Sequence, residues 1–303
     1  MSERPNDVGF DAIGLDRLDV ENLIAVALDE DLRYGPDATS KATTGPNQDA
    51  TGLVRSRQCG VVCGVPVAVA VLTAVTIPLS GVTVICADGD AVNSGDTILE
   101  LTGPVRSILL AERTMLNFLT HLSGVATITN LWVQAVAGTN CLIRDTRKTL
   151  PGLRQLEKYA VRCGGGTNHR MGLGDAALIK DNHIAAAGGV SRAIAAVRDS
   201  FPTLSIEVEC DSLDQVLEAL EAQCSLILLD NMDAETIALA VHAARQHPGV
   251  RIEASGGMSL DLARQIAQLG VDYIAVGAIT HSAPALDIGL DFVNGPQTPI
   301  FQS

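Results

Sequence analysis

The chain has 303 residues, of which 47% are hydrophobic and 18% charged, and its formal net charge is -14. This length and apolar share are enough for one large or two ordinary domains with a substantial core. The acidic balance argues against a nucleic-acid partner or an anionic membrane surface, because both require an extended basic face.

Seven cysteines without a CxxC pair provide no disulfide framework, and Cys59 and Cys63 have no second pair with which to bind zinc. We therefore expect free thiols in a reducing compartment. The first 20 residues carry charges where a signal peptide would need an apolar run, so the predicted location is cytoplasmic.

The first part of the chain predicts mixed helices and strands. A helix is expected near residues 16–31, a strand near 51–58 and a long helix over 107–138. Residues 61–87 carry no charge and are long enough to cross a bilayer, but two prolines divide them. We therefore predict a short buried Val/Ala helix and then a strand at 82–87, and no membrane span.

From Cys141 onward, short apolar runs alternate with helical segments, which predicts a parallel sheet. The expected strands are CLIRD, AALIK, IEVEC, LILLD, RIEAS and DYIAV. The expected helices lie near residues 151–162, 190–199, 212–223, 233–247 and 259–269. Nearly every strand ends at a charged or small polar residue, which is typical of barrels whose active sites lie at the carboxyl ends of the strands. With six strands, the barrel would be incomplete or would borrow a seventh element.

Basic residues are concentrated in one part of this acidic chain. Residues 144–183 hold eight of the 21 lysines and arginines. Arg154, Lys158 and Arg162 fall on a predicted helix, where we expect solvated surface charges. The strand ends and the glycine run predict one binding mouth for Arg147, Lys148, His169, Arg170 and Lys180. Because neighbouring cations repel, this cluster predicts a small anionic ligand.

Two carboxylates and two glycine turns are expected at the same mouth. Glu209 and Asp230 lie at the ends of predicted strands, where they could balance the cations or bind Mg2+ through oxygen. The turn from Ser255 through Gly256 to Gly257, and the later Gly277, each follow a strand and precede a helix. Such backbone binds phosphate after the last strands of a barrel.

Other catalytic or metal sites find little support in the sequence. The spacing of Cys163, His169 and His183 matches no familiar zinc pattern. The chain contains no GxSxG segment, so a serine nucleophile of that type is not predicted. The role of His183, at the end of the segment LysAspAsnHis, stays open between packing and binding.

The segment RDTRKTLPGLRQLEKYAVRCGGGTNHRMGLGDAALIKDNHI resembles the signature block of the quinolinate phosphoribosyltransferase family, also named nicotinate-nucleotide pyrophosphorylase. ERTMLNFLTHLSGVAT, EDLRYGPDATS, IEVEC, LLDNM, EASGGMS and DYIAVGAITHS match that family in the same order, over nearly the whole chain. There are two small departures. Pro36 interrupts the usual Gly-Asp and Leu150 stands where threonine is frequent, and both fall outside the expected ligand set.

The resemblance implies an α/β fold with two domains and a homodimer, and it leaves a dimer versus a hexamer open. The implied N-terminal α/β sandwich domain covers residues 1–122. The implied incomplete (β/α) barrel covers residues 123–286 and carries the active site. The C-terminal tail, residues 287–303, is expected to pack back on the first domain.

The implied activity is phosphoribosyl transfer from phosphoribosyl pyrophosphate to quinolinate with decarboxylation, giving nicotinate mononucleotide, pyrophosphate and CO2 for NAD synthesis. Matching positions assign quinolinate to Arg147, His169, Arg170 and Lys180, with Arg113 reaching in from the neighbouring subunit. They assign phosphoribosyl pyrophosphate to Lys148, Glu209, Asp230, Ser255, Gly256, Gly257 and Gly277. The implied cofactor is Mg2+ at Glu209 and Asp230, and the implied catalytic residues are Lys148, Lys180, Glu209 and Asp230.

Two alternatives remain open. One is a related protein of the same fold that uses nicotinate or another substrate, including the similar proteins associated with molybdenum transport. The full set of cations argues against a substrate with one carboxylate fewer, because a buried charge left unpaired costs about 1 to 3 kcal/mol. The other is a non-catalytic protein that binds pyridine carboxylates. The presence of both Glu209 and Asp230 beside the predicted phosphate turns argues against it.

Overall fold

The computed structural model describes residues 9–75 and 78–293, which form two compact units. Among the described residues, unit 1 contains 9–75, 78–128, 151–164 and 283–293. Unit 2 contains Thr129–Leu150 and Gly165–Ser282. The predicted domains are continuous along the sequence, whereas these two units interleave, because residues 151–164 belong to unit 1.

The described residues in the first half of the chain form a 3-10 helix at Phe10–Ile13, four α-helices and five strands. The helices are α1 (Arg17–Leu32), α2 (Ala38–Thr43), α3 (Val65–Ala74) and α4 (Val105–Ala135). The strands are β1 (Asp49–Ser56), β2 (Gly60–Val61), β3 (Gly81–Val84), β4 (Ala91–Val92) and β5 (Thr97–Pro104).

The second half alternates strands and helices as the sequence predicts. The strands are β6 (Leu142–Arg144), β7 (Ala177–Ile179), β8 (Ile206–Cys210), β9 (Leu226–Asp230), β10 (Arg251–Ser255), β11 (Tyr273–Ala275) and β12 (Ile288–Val293). The helices are α5 (Arg154–Cys163), α6 (Asp181–Ala187), α7 (Val190–Ser200), α8 (Leu213–Glu221), α9 (Ala234–Ala244), α10 (Leu260–Gln268) and α11 (Ala278–His281). The sequence analysis did not predict α6 or α11, both of which are short.

Unit 1 is built around an antiparallel sheet of four strands in the order β12-β1-β5-β3, and β2 pairs with β4 in a separate ribbon. The alternation of strand β1 places Val54 in the core, and the partner strand β5 contributes Leu99 and Leu101. The predicted tail includes β12, which pairs antiparallel with β1. Its remaining residues, 294–303, lie outside the described part of the chain.

The uncharged stretch at residues 61–87 forms a short helix and a strand, as predicted. Helix α3 follows Gly64, whose φ of +100° lies in the left-handed region that favours glycine, and a proline occupies its first turn. Its valines, including Val67 and Val71, are fully buried. Among the described residues, no helix combines the length and hydropathy that a membrane-spanning segment requires.

Unit 2 contains a parallel sheet of six strands in the order β6-β11-β10-β9-β8-β7, with helices between successive strands. The predicted α/β class and the six predicted strands are thereby confirmed. The outer edge of β6 is not left bare: the Thr167 N–H donates to Ile143 O at 2.8 Å, and the Asp145 N–H donates to Thr167 O at 3.3 Å. Thr167 therefore supplies a single further bridge where a complete barrel would have another strand.

The register of this sheet places polar side chains on one face. Glu209 on β8 and Glu253 on β10 both lie opposite Leu228 of β9, and Asp230 lies opposite Ser255. Directly opposed residues in a parallel sheet project to the same face, and residues two apart on a strand do so as well. Glu209, Glu253, Asp230 and Ser255 therefore share one face, and Asp230 and Ser255 lie at the carboxyl ends of their strands.

Candidate active site

The carboxyl end of the sheet brings Lys180 and Glu209 together. Lys180 follows strand β7 directly, and its ammonium group donates a hydrogen bond to Glu209 Oε2. The Lys180 side chain is 44% exposed and that of Glu209 is 17% exposed, so solvent can reach the pair. Both residues were predicted to belong to one site. Because Glu209 already balances the charge of Lys180, an arriving anion would share this ammonium group with the carboxylate.

His183, whose role the sequence left open, makes a local contact at the start of helix α6. Its Nδ1 accepts a hydrogen bond of 2.9 Å from the Lys180 backbone N–H. The histidine side chain therefore satisfies one of the backbone donors that the start of a helix leaves without an intrahelical partner. This contact fixes the backbone from which the Lys180 side chain extends.

The predicted phosphate turn after β10 adopts a conformation that favours glycine. Gly256 has a φ of +92°, and a Cβ atom there would lie 2.1 Å from Asn231 Oδ1. Gly257 has a φ of +53°, and a Cβ there would have nothing within 4 Å. The backbone after β10 is therefore packed tightly on one side and open on the other, which is the arrangement that a bound phosphate needs.

Lys148 lies beside the second glycine turn. A Cβ atom added at Gly277 would lie 3.0 Å from Lys148 Cδ and 3.3 Å from Thr146 Oγ1. The Thr280 hydroxyl donates to Lys148 O at 2.8 Å, which fixes the backbone of this lysine against helix α11. The structure thus brings together a lysine and a glycine turn that are more than 100 residues apart in the chain.

Arg147 and Arg170 interact electrostatically. The pKa of Arg170 is lowered, first by burial and then by the positive charge of Arg147. The Arg170 Nη1 group donates to Ala176 O at 3.0 Å, and its buried Nε has no hydrogen-bond partner among the described residues. Two partly buried guanidinium groups that repel each other favour an anionic ligand between or beside them.

His169 is buried and uses both ring nitrogens within the chain. Its Nδ1 accepts the Arg170 backbone N–H at 2.8 Å, so the ring proton must be on Nε2 when the imidazole is neutral. Nε2 lies 2.9 Å from Glu207 Oε2. This geometry indicates that His169 fixes the backbone of Arg170, and its predicted contact with a ligand stays a prediction.

A buried ionic network surrounds His169. Arg144 pairs with Glu253, and His169 Nε2 lies 3.6 Å from the same glutamate. Burial, and then the neighbouring Glu207, raise the pKa of Glu253 to about 7, against the opposing effect of Arg144. The Arg144 guanidinium also lies 4.6 Å from the centre of the Tyr273 ring. Arg144, Glu207 and Glu253 were not assigned to the site from the sequence; the available signal was a glutamate inside each of the two apolar strands β8 and β10.

Asp145 is a second residue that the sequence analysis did not single out. It is fully buried directly after β6. Its two carboxylate oxygens accept hydrogen bonds from the Asn168 side-chain amide at 2.6 Å and from the His169 backbone N–H at 2.8 Å. Asp145 therefore holds the glycine-rich segment in place, and it shapes the position of Arg170 without needing to contact a ligand.

The description of the helix cations as solvated surface charges is wrong for Lys158. Helix α5 is buried continuously from Leu156 to Val161, so it does not have the exposed face that the sequence suggested. Lys158 has no exposed surface, and the adjacent Glu157, also fully buried, lies 2.9 Å from His121 Nε2. Arg162 is exposed and donates to Ile13 O at 2.8 Å.

Two models of one protein family match this chain. The family model for the N-terminal domain of quinolinate phosphoribosyl transferase matches residues 37–123, and the model for its C-terminal domain matches residues 125–291. The chain belongs to the quinolinate phosphoribosyltransferase family. The predicted family resemblance is thereby confirmed.

Similar proteins span almost the whole chain. A nicotinate-nucleotide pyrophosphorylase [carboxylating] of Mycobacterium leprae is 50% identical, over 94% of this chain and 99% of its own length. A quinolinate phosphoribosyltransferase [decarboxylating] of Nicotiana glauca is 38% identical, over 90% of this chain and 82% of its own length. The solved structure of the pyrophosphorylase from Francisella tularensis superposes with a TM-score of 0.85 at 38% identity and covers 97% of this chain and 100% of its own.

A cavity of about 540 Å3 opens at the other end of the barrel of this family member. Its lining includes Ser205, Ser225 and Arg251, which lie at or just before the amino ends of strands β8, β9 and β10. His169 and Arg170 also line it, although the sequence predicted both at the mouth with Lys180, so their place at that mouth stays a prediction. Catalytic groups in such barrels project from the carboxyl ends, where Glu209 and Asp230 lie, so this void is not the predicted mouth.

Arg113 is exposed on helix α4 in unit 1. Its predicted role is to complete the quinolinate site of a neighbouring subunit. The structure contains one chain, so this assignment stays a prediction.

Proposed function

We propose that the protein transfers the phosphoribosyl group of phosphoribosyl pyrophosphate to quinolinate and releases pyrophosphate and CO2, forming nicotinate mononucleotide for de novo NAD synthesis. Membership of the quinolinate phosphoribosyltransferase family supports this reaction. The observation that carries the substrate assignment is the partly buried Arg170, whose buried Nε has no hydrogen-bond partner among the described residues and which lies near the positive charge of Arg147. Quinolinate carries two carboxylates, so it can neutralise this pair of cations.

In the proposed complex, Arg147, Arg170 and Lys180 bind the two quinolinate carboxylates. His169 acts through Arg170, because its Nδ1 holds the Arg170 backbone N–H. Replacing His169 by alanine should therefore raise KM for quinolinate more strongly than KM for phosphoribosyl pyrophosphate. Replacement by asparagine, which keeps a hydrogen-bond acceptor, should restore part of the quinolinate affinity. Steady-state kinetics with each substrate varied in turn measure both effects, and equal changes in the two KM values would contradict the positioning role.

The phosphoribosyl pyrophosphate site is proposed at Lys148, Glu209, Asp230 and the turns after β10 and β11. The turns supply backbone at Ser255, Gly256, Gly257 and Gly277 for the 5-phosphate. Lys148 lies beside Gly277, so its ammonium group can reach an anion bound at that turn. Glu209 and Asp230 can accept hydrogen bonds from ribose hydroxyls.

The carboxylate oxygens of Glu209 and Asp230 are suitable ligands for Mg2+. Glu209 Oε2 accepts from Lys180 and Asp230 Oδ2 accepts from the Asn231 amide, and the second oxygen of each carboxylate has no protein donor among the described residues. Carboxylate and phosphate oxygens are the ligands that Mg2+ prefers. When bound, the ion would neutralise charge on the pyrophosphate.

The proposed chemistry needs positioning and charge neutralisation from this chain. The pyridine nitrogen of quinolinate attacks C1 of the ribose with its lone pair, while the C1–O bond breaks and its electron pair leaves on pyrophosphate. Lys148 stabilises the negative charge that develops on the leaving group. The pyridinium product then loses the adjacent carboxylate as CO2, and its positive nitrogen stabilises the electron pair left on the ring carbon until a proton adds. Arg147 and Arg170 hold the diacid in position for both steps.

The reaction can be tested with quinolinate labelled in the carboxylate beside the ring nitrogen. Release of labelled CO2 should require both phosphoribosyl pyrophosphate and Mg2+. Lys148→Met should lower kcat by about 100-fold or more, because it removes one charge from the developing pyrophosphate. Lys41→Met, at an exposed lysine of helix α2, is the matched control and should leave turnover unchanged. Quinolinate binding without CO2 release would favour a non-catalytic protein that binds pyridine carboxylates. Turnover of nicotinate instead of quinolinate would favour a related protein of the same fold with another substrate.

We further propose that the protein is a homodimer in which Arg113 completes the site of the other subunit. Arg113→Ala and Arg147→Ala homodimers should each be inactive. A heterodimer of the two variants would contain one intact site of two and should regain about half of the wild-type activity. Separately tagged subunits, mixed and purified by both tags, provide the measurement. Inactive verified heterodimers would count against a shared site.

A further inference from the structure

Two cysteines and one aspartate meet in unit 1, and none of the three is assigned to the proposed active site. The Cys63 and Cys163 sulfurs and one carboxylate oxygen of Asp88 all lie within 4.8 Å of one another. Cys63 has no exposed surface, whereas Asp88 and Cys163 are partly exposed. The two cysteines are 100 residues apart in the sequence. No motif of short spacing could therefore have revealed them, and only the fold brings them together.

The backbone fixes Cys63 and the turn that carries Asp88. The Cys63 N–H donates to Ser123 Oγ at 2.9 Å, and the Ser123 hydroxyl donates back to Cys63 O at 3.1 Å. The Gly89 N–H donates to Val62 O at 2.8 Å, which joins the residue before Cys63 to the residue after Asp88. These contacts hold the two side chains in place before any ligand arrives.

The Asp88 carboxylate is oriented by two donors. Its Oδ1 accepts the Val65 backbone N–H at 2.9 Å, and its Oδ2 accepts the Tyr159 hydroxyl at 2.8 Å. Oδ2 also lies 4.0 Å from Cys63 Sγ. Tyr159 and Cys163 are four residues apart on helix α5, so they lie on the same face of that helix. One helix therefore supplies a sulfur and the hydroxyl that holds the carboxylate.

We propose that Cys63, Cys163 and Asp88 form a binding site for one thiophilic divalent cation of the Zn2+ type. Two sulfur ligands and one carboxylate oxygen suit Zn2+, whereas Mg2+ and Ca2+ prefer oxygen throughout. The hydroxyl of Tyr159 would be the outer partner that orients the ligating carboxylate. The partly exposed side of the cluster, at Asp88 and Cys163, provides an entry path and room for a water molecule as fourth ligand.

The charges in the cluster fit such an ion. Two thiolates and one carboxylate around a divalent cation leave a net charge of about -1. The guanidinium of Arg162, adjacent to Cys163, lies 5.4 Å from the centre of the Tyr159 ring and can offset it.

The test uses the full-length protein, reduced and freed of metal by a chelator, with Co2+ as the probe. Co2+ bound to thiolates produces an intense ultraviolet charge-transfer absorption, which carboxylate sites such as Glu209 and Asp230 cannot produce. We expect one Co2+ per chain with this absorption, and its displacement by Zn2+. Cys163→Ser, at a partly exposed position, should reduce the absorption and weaken Zn2+ binding by more than about 100-fold, because it removes a direct ligand.

Two further variants separate ligands from bystanders. Tyr159→Phe keeps all three ligands and should weaken Zn2+ binding by about 10-fold, as expected for an outer partner. Cys59→Ser removes an exposed cysteine four residues from Cys63 and should leave the absorption and the affinity unchanged. Zn2+ should raise the melting temperature of the wild-type protein and of Cys59→Ser, but not that of Cys163→Ser.

Three results would overturn the proposal. The first is the absence of thiolate charge transfer in the reduced protein. The second is a charge-transfer band that persists unchanged in Cys163→Ser. The third is a Cys63–Cys163 disulfide in peptides from protein prepared without reductant, together with no Co2+ binding after reduction; this would identify a redox pair instead.

Discussion

Glu253→Gln removes one titratable proton from the centre of the parallel sheet. Glu253 has no exposed surface and lies beside Arg144 and His169. Burial and the nearby Glu207 raise its pKa from 4.5 to about 7. The folded protein therefore binds this proton more tightly than the unfolded chain. Stability is highest below the unfolded pKa, falls as the pH rises through the interval up to about 7, and is constant above it.

The magnitude follows from the two pKa values. The interval from 4.5 to about 7 corresponds to about 3 kcal/mol of unfolding free energy, since each pKa unit is worth about 1.4 kcal/mol. Wild-type protein should lose this amount between about pH 4.5 and pH 7 through Glu253 alone. Glutamine cannot ionise, so the variant should lack this contribution at every pH. In the variant, Arg144 loses a charged partner only at pH values where wild-type Glu253 is ionised, and this loss is already included in the pKa of about 7.

The assay is urea unfolding of wild-type and variant protein at about pH 5 and about pH 8. We expect the unfolding free energy of Glu253→Gln, relative to wild type, to improve by about 2 to 3 kcal/mol from the lower to the higher pH, because a small part of the contribution is already lost at about pH 5. Glu221→Gln, at an exposed position on helix α8, is the matched control. The unfolding free energy of this control should change between the two pH values by the same amount as that of wild type. The same result for Glu253→Gln would refute the raised pKa.

Two further predictions concern the segments that shape the site. Gly256→Ala would place a Cβ 2.1 Å from Asn231 Oδ1, so it should raise KM for phosphoribosyl pyrophosphate by 10-fold or more, as steady-state kinetics would show. Gly257→Ala, where a Cβ has nothing within 4 Å, should cost only about 1 kcal/mol of stability from its positive φ; similar kinetic losses in both would argue against the contact with Asn231. Asp145→Ala removes two hydrogen bonds that hold the segment before Arg170, so calorimetry should show weaker quinolinate binding, and unchanged affinity would contradict the anchoring role.

The strands were predictable because each is a short apolar run that ends at a turn or a polar residue. Strands β8, β9 and β10 have the bounds that IEVEC, LILLD and RIEAS suggested. The longer helices were predictable to within a few residues because their apolar residues recur with helical spacing. Helix α6 was missed because it is short and follows strand β7 after the single residue Lys180.

The wrong predictions of residue environment have one physical cause. Helical spacing predicts an exposed face for α5, but the helix is buried continuously from Leu156 to Val161, and Lys158 with it. Glu207 and Glu253 look like interruptions of apolar strands until the register places them near His169. Burial and strand register depend on contacts between distant segments, so neither can be predicted from the spacing of residues along the sequence.

The amino-acid sequence by itself determined the alternation of strands and helices, the family, and the residue types expected at the mouth of the barrel. It did so because hydrophobic periodicity and turn residues are local properties of the chain. Only the tertiary structure decided which charges balance one another, as with Lys180 and Glu209 or Arg144 and Glu253. It alone brought Cys63 to Cys163, because a contact across 100 residues depends on the folding of everything between them.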